Sequence, residues 1–170
     1  MKILKTTILF AAFILLVSCK QEPKTSGGYT VVWEENFEDS TKLQTNWSKI
    51  PRGKSDWNNY MSNYDQLYDI TNGNLILRGI KNTMLPDDPA PYLTGGIYTK
   101  DKRTFSNGRL EIRAKLFGAR SALPALWLLP VDDKWPHGGE IDIMQRLNMD
   151  GYVYQTVHSD YTVNQKMKDN

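Results

Sequence analysis

From Tyr29 onward this sequence predicts an all-β domain of jelly-roll type. Three observations carry that prediction. Short β-branched and aromatic runs recur, among them Tyr29-Thr30-Val31-Val32-Trp33 and Gly96-Ile97-Tyr98-Thr99, and such residues suit a pleated, half-buried surface. Turn signals rich in Gly, Asn and Pro separate the runs, and many short strands between turns build a two-sheet sandwich. No segment after the N-terminal leader repeats its apolar residues at helical spacing, and there is no internal repeat.

The leader comes first. Lys2 and Lys5 precede an apolar run from Thr7 to Val17 that ends Leu16-Val17-Ser18-Cys19. A basic start with an apolar run of this length reads as a secretory signal, too short for a spanning helix. Cys19 is the only cysteine among the 170 residues, so no intrachain disulfide can form. Its place directly after the run resembles the bacterial lipobox. That resemblance implies cleavage after residue 18, lipid on Cys19, and an exported protein anchored to the cell envelope. Residues 19–28, polar and rich in Pro and Gly, read as a flexible tether, and residues 29–170 as the domain. Of 21 Lys and Arg, cleavage removes two, leaving 19 against 19 Asp and Glu. A neutral balance makes no electrostatic case for nucleic acid. Two histidines and one cysteine argue against a zinc site.

Further along, Ser55-Asp56-Trp57-Asn58-Asn59-Tyr60-Met61 gathers groups that stack on and hydrogen-bond to sugars, as cleft-wall loops do. Trp57 and Asn58 are its candidate contacts, against a reading as ordinary turn chemistry. Asn72-Gly73-Asn74 separates Leu67–Thr71 from Leu75–Arg78 and predicts a hairpin. Met84 to Pro91 is a proline-rich loop. After Ser106-Asn107-Gly108 a strand is expected over Arg109–Leu116, where Leu110, Ile112, Ala114 and Leu116 alternate with Arg109, Glu111, Arg113 and Lys115. That alternation puts Arg109 and Arg113 on a solvated face. With Arg120 they are also candidates for anionic sugars.

The segment Gly138-Gly139-Glu140-Ile141-Asp142-Ile143-Met144-Gln145 carries most of the chemistry. Isoleucines alternate with Glu140 and Asp142 at the period of a strand with one buried face. Two carboxylates side by side repel, and desolvating them in a cleft arranges a proton inventory; the plainer reading is a solvated outer face. Positions 140 and 145 are five apart, which simple alternation places on opposite faces. A bulge near Ile143 or Met144 restores the phase. The side chains would then start roughly 13 Å apart at Cα and lean toward the ~5 Å separation of a retaining glycosidase pair.

Together with Leu93–Thr99, Gly108–Leu116, Leu123–Pro130 and Trp135-Pro136-His137-Gly138-Gly139-Glu140, this segment resembles glycoside hydrolase family 16, the laminarinase, lichenase, agarase and carrageenase group. The resemblance runs from about Tyr29 to the chain's end and implies a concanavalin A-like sandwich with a sugar cleft across its concave sheet. The family pattern Glu-x-Asp-x-x-Glu reads here Glu140, Asp142 and Gln145. The resemblance makes Glu140 the nucleophile and Asp142 its support. Gln145 stands at the acid/base position, where an amide has no proton to give. It further implies that Trp127 and Trp135 line the cleft and that His158 lies near the carboxylates. Core packing is the alternative for Trp127, and a structural role the alternative for His158. Calcium on the outside of the sandwich belongs to the family, though no residues here identify its ligands, and no other cofactor is expected.

The chain stops in mid-pattern at Lys166–Asn170, so the sandwich is expected to be incomplete at its C-terminus, with open sheet edges that favour aggregation. The expected activity is endo-acting, retaining hydrolysis of internal β-linkages. β-1,3-glucan is the default substrate and β-1,4-linked galactose its rival, with the chemistry impaired by Gln145. Three origins for that glutamine stand open: a deliberate substitution, a degenerate copy, and a sugar-binding pseudoenzyme. The rival of a different class is a non-catalytic glycan-binding surface lipoprotein. In either case a monomer is expected.

Overall fold

The computed structural model describes residues 25–166; Cys19, the leader and most of the tether lie outside that range. The chain divides after Glu34 into two units. In the first, β1 (Thr25–Ser26) pairs antiparallel with β2 (Tyr29–Thr30) about Gly27 and Gly28. Of the strand expected over 29–33, Tyr29 and Thr30 pair with β1, and Val32 is 93% exposed.

The second unit holds the remaining elements. A 3-10 turn at Ser40–Lys42 runs into the one-turn helix α1 (Leu43–Asn46), and Asp39 caps the turn by accepting from the Thr41 N–H at 2.9 Å. β3 (Ser48–Lys49) pairs with β8 (Ile97–Tyr98). β4 (Tyr68–Thr71) and β5 (Asn74–Leu77) form the expected hairpin. Its turn residues, Asn72 and Gly73, have φ of 52° and 68°, the left-handed pair that suits the twist of flanking strands. β6 (Gly79–Lys81) and β7 (Tyr92–Thr94) flank the proline-rich loop. Asn82 gathers that loop by donating to the carbonyls of Leu85, Asp88 and Ala90. Across it, Arg52 grips Asp88 through two 2.7 Å bonds and also donates to the Met61 carbonyl.

β9 (Ala125–Leu128), β10 (Glu140–Gln145) and β11 (Tyr154–His158) form an antiparallel sheet with β10 in the middle. The one-turn helix α2 (Asp160–Val163) follows, its N-terminus closed by a reciprocal Ser159–Thr162 box. No continuous helix was expected after the leader; α1 and α2 correct this by one turn each, α2 capped by Ser159 and α1 continuing from the turn that Asp39 caps. Among the described residues no helix is long and apolar enough to cross a membrane.

The strand expected over Arg109–Leu116 is absent. That stretch pairs with no described strand, and Leu110 and Ile112 are 39% and 48% exposed. Alternation marks which side chains share a face, but a strand also needs a neighbour to take its backbone hydrogen bonds. The buried apolar core is correspondingly small. Among the described residues it consists of Leu67 and Leu93, fully covered, and Ile50. Backbone bonds from Arg78 to Leu67 and from Gly95 to Arg78 lace the hairpin β4–β5 to the segment after β7 around this core.

Candidate active site

The local sequence first sets how the chain enters β10. The Trp135–Pro136 bond is cis and Gly139 has a φ of +80°, a region that favours glycine. Gly138 packs so closely that a Cβ there would lie 2.5 Å from Pro130. The strand then runs between two partners. Glu140 faces His158 and Asp142 faces Thr156 on β11, while Asp142 faces Trp127 on β9. Between Asp142 and Met144 the register slips by one residue, after which Gln145 faces Tyr154 on one side and Ala125 on the other.

This is the bulge that the five-residue spacing required. Directly paired residues share a face, so Glu140, Asp142 and Gln145 lie on one side of the sheet with Trp127, Thr156, Tyr154 and His158. The Gln155 side chain donates to the Ile143 carbonyl at 3.1 Å, which satisfies an acceptor inside the bulge. Burial of the two faces is reversed from the expectation. Asp142 is 1% exposed, whereas Ile141 and its partner Val157 are 49% and 66% exposed. Alternation identifies the faces but not which of them is covered.

The carboxylates are held from both ends. The Trp135 indole N–H donates to Glu140 Oε2 at 2.7 Å. His158 Nε2 lies 3.1 Å from Asp142 Oδ2, and Asp142 Oδ1 is buried with no hydrogen-bond partner among the described residues. Burial raises the Glu140 carboxyl above its ordinary range; the Trp135 N–H opposes this, the Asp142 charge adds to it, and His158 again opposes it. Glu140 therefore holds a proton more readily than a free carboxyl.

Trp127 lies on the carboxylate face, its ring set edge-on to Trp57 with centroids 5.8 Å apart. Trp135 is half-exposed, 6.4 Å from the His158 ring. Trp127, Trp135 and His158 thus adjoin Glu140 and Asp142, and Trp57 joins them through Trp127. Asn58 instead spends its amide inside its own loop, accepting from the Ser55 N–H at 3.1 Å and lying over Gly53. Arg109 pairs with Glu111 at 2.7 Å, and Arg113 and Arg120 are exposed on the irregular stretch before β9. No group of three or more His, Cys, Asp or Glu among the described residues is arranged to hold a metal. Tyr154 escaped the sequence reading; the signal was there, because positions 154, 156 and 158 share a face by period two.

Residues 98–170 match the family described as "XgeA-like, catalytic GH16 domain". Over those residues the chain matches glycoside hydrolase family 16. It is 33% identical over 141 residues to the keratan-sulfate endo-1,4-beta-galactosidase of Sphingobacterium multivorum, an alignment covering 80% of this chain and 33% of that protein. It is 31% identical over 151 residues to the glucan endo-1,3-beta-glucosidase A1 of Niallia circulans, covering 77% of this chain and 22% of that one. Among solved structures, the catalytic domain of an endo-1,3-beta-glucanase (laminarinase) from Thermotoga petrophila RKU-1 superposes with a TM-score of 0.67 at 30% identity, covering 76% of this chain and 56% of that chain. The chain spans a third or less of these two curated relatives. Its strands, divided into small sheets, belong to a jelly-roll β-sandwich.

Proposed function

We propose that the carboxylate face of β9–β10–β11 is the cleft of an endo-acting, retaining glycosidase for a β-linked polysaccharide, with Glu140 as nucleophile. One observation carries the reading: the bulge brings Glu140, Asp142 and position 145 to one face, with Trp127, Trp135 and His158 beside the first two and Trp57 against Trp127. Glu140 attacks the anomeric carbon to form a glycosyl-enzyme. Burial raises the proton affinity of Glu140, and Asp142, itself buried and tethered to His158, adds to that rise. Trp135 holds Oε2, leaving the other oxygen for attack. Gln145 donates a hydrogen bond to the departing oxygen but transfers no proton, so natural glycans turn over slowly. The relatives' names support internal β-1,3-glucan as default substrate and β-1,4-linked galactose as rival. The protein acts as an exported monomer anchored through lipid on Cys19.

Two measurements on the full chain test this. Gln145→Glu is expected to raise hydrolysis about 10²- to 10⁴-fold; an unchanged background rate on glucan and galactan panels sinks the mechanism. Unsubstituted protein mixed with an aryl β-glycoside, whose leaving group needs no proton, is expected to accumulate an adduct on Glu140 visible by intact-protein mass spectrometry. The second reading, a glycan-binding protein without chemistry, is favoured by Gln145 itself. Binding that persists without turnover after Gln145→Glu selects it.

A further inference from the structure

Beside position 145 stands a group that the proposed chemistry does not use. Tyr154, the β11 partner of Gln145 on the carboxylate face, donates its hydroxyl to Asp150 Oδ2 at 2.9 Å and lies 3.0 Å from the Tyr152 hydroxyl. The two phenol rings meet edge to face with centroids 5.1 Å apart. Tyr152 remains 62% exposed. The loop beneath is pinned. Arg146 donates to the carbonyls of Asp150 and Leu116 at 2.9 and 3.0 Å, and Asn148 Oδ1 accepts from the Ser121 N–H at 2.7 Å. A Cβ on Gly118 would lie 2.7 Å from the Asn148 carbonyl, so the two loops meet backbone to backbone there.

We propose that Tyr152, Tyr154 and Asp150 form a sugar subsite flanking position 145, which takes a neutral hexose ring of the same β-linked chain. The assignment rests on the cleft reading above and extends it toward the β11 edge. A ring exposed on one side and fixed on the other offers a stacking surface at low entropic cost, since a phenol has few rotamers to lose. The Tyr154 hydroxyl keeps its proton, pushed far up by its bonds to Tyr152 and Asp150, and so stays a donor that fixes the carboxylate. The remaining Asp150 lone pairs accept from sugar hydroxyls. A carboxylate at the rim disfavours sulfated or uronic units, and neighbouring Arg146 has spent donors on backbone carbonyls rather than offering them to an anion. Two aromatic residues around a hydrogen-bonded acid match the two sides of a neutral sugar, an apolar ring face and an equatorial rim of hydroxyls.

Titration calorimetry on the full chain tests this, using neutral β-1,3-gluco-oligosaccharides and β-1,4-galacto-oligosaccharides of three and six units. The six-unit form of the preferred series is expected to bind more tightly than the three-unit form. Tyr152→Ala is expected to erase that advantage, weakening the longer ligand about tenfold while leaving the shorter one and the melting temperature unchanged. Tyr152→Trp is expected to restore it. Tight binding of the longer ligand that survives Tyr152→Ala overturns the subsite and leaves the cleft reading intact. An equal loss for both lengths accompanied by a lower melting temperature also overturns it, because the tyrosine is then structural. No binding of either series by the unsubstituted chain overturns the cleft reading itself.

Discussion

Glu140 is held in a conflict that the fold has to sustain. Burial and the Asp142 charge favour its protonated form, while the Trp135 N–H and His158 favour the charged one, and the net effect is a raised proton affinity. The folded chain therefore binds more protons than the unfolded chain between the usual carboxylate range and the higher folded value, so this site loses stability as pH rises through that window. Glu140→Gln removes the charge, keeps an oxygen for the Trp135 N–H, and is expected to raise the melting temperature at pH 7. The carboxyl is partly hydrated, so the gain stays below about 1 kcal/mol. Below the carboxylate range the two proteins should melt together. A variant that melts lower than the parent at neutral pH refutes this account.

The bulge in β10 decides which residues face the cleft, and its spare carbonyl at Ile143 is taken by Gln155. Gln155→Leu leaves that acceptor to solvent and is expected to cost about 1 kcal/mol, measured by urea denaturation, and to weaken glycan binding through a looser position 145. Equal stability would mean that water replaces the amide without penalty. The need for a bulge was legible in an odd count between two residues that chemistry wants on one side. The β4–β5 hairpin was legible in Asn72-Gly73 for an equally local reason. Arg109–Leu116 misled because its pattern is a necessary condition of a strand and not a sufficient one. Ile141 misled in a related way, since period two names a face without naming its cover. Tyr154 was missed because register belongs to a strand pair, and β11 read alone does not announce its partner.

Across the described residues, little apolar surface is fully enclosed. Leu67, Leu93 and Ile50 form the buried set, while Ile141, Val157 and many other large apolar side chains keep over a third of their surface in water. Leu67→Ala is therefore expected to cost about 2–5 kcal/mol, a large fraction of the 5–15 kcal/mol typical of a folded domain. Loss of the cooperative thermal transition is the expected readout. A variant that retains a sharp transition near the parental temperature would place the stabilising contacts elsewhere. The carboxylates stand on the sheet built by β9, β10 and β11, which contributes none of Leu67, Leu93 and Ile50.

The strand, its bulge and the pairing to Tyr154 and Ala125 are all in place with an amide at 145. Glutamine and glutamate differ in their codons only at the first base. A lone C-to-G transversion would return an acid to a seat whose backbone is already laid, so this gene stands one mutational step from a complete pair of carboxyls.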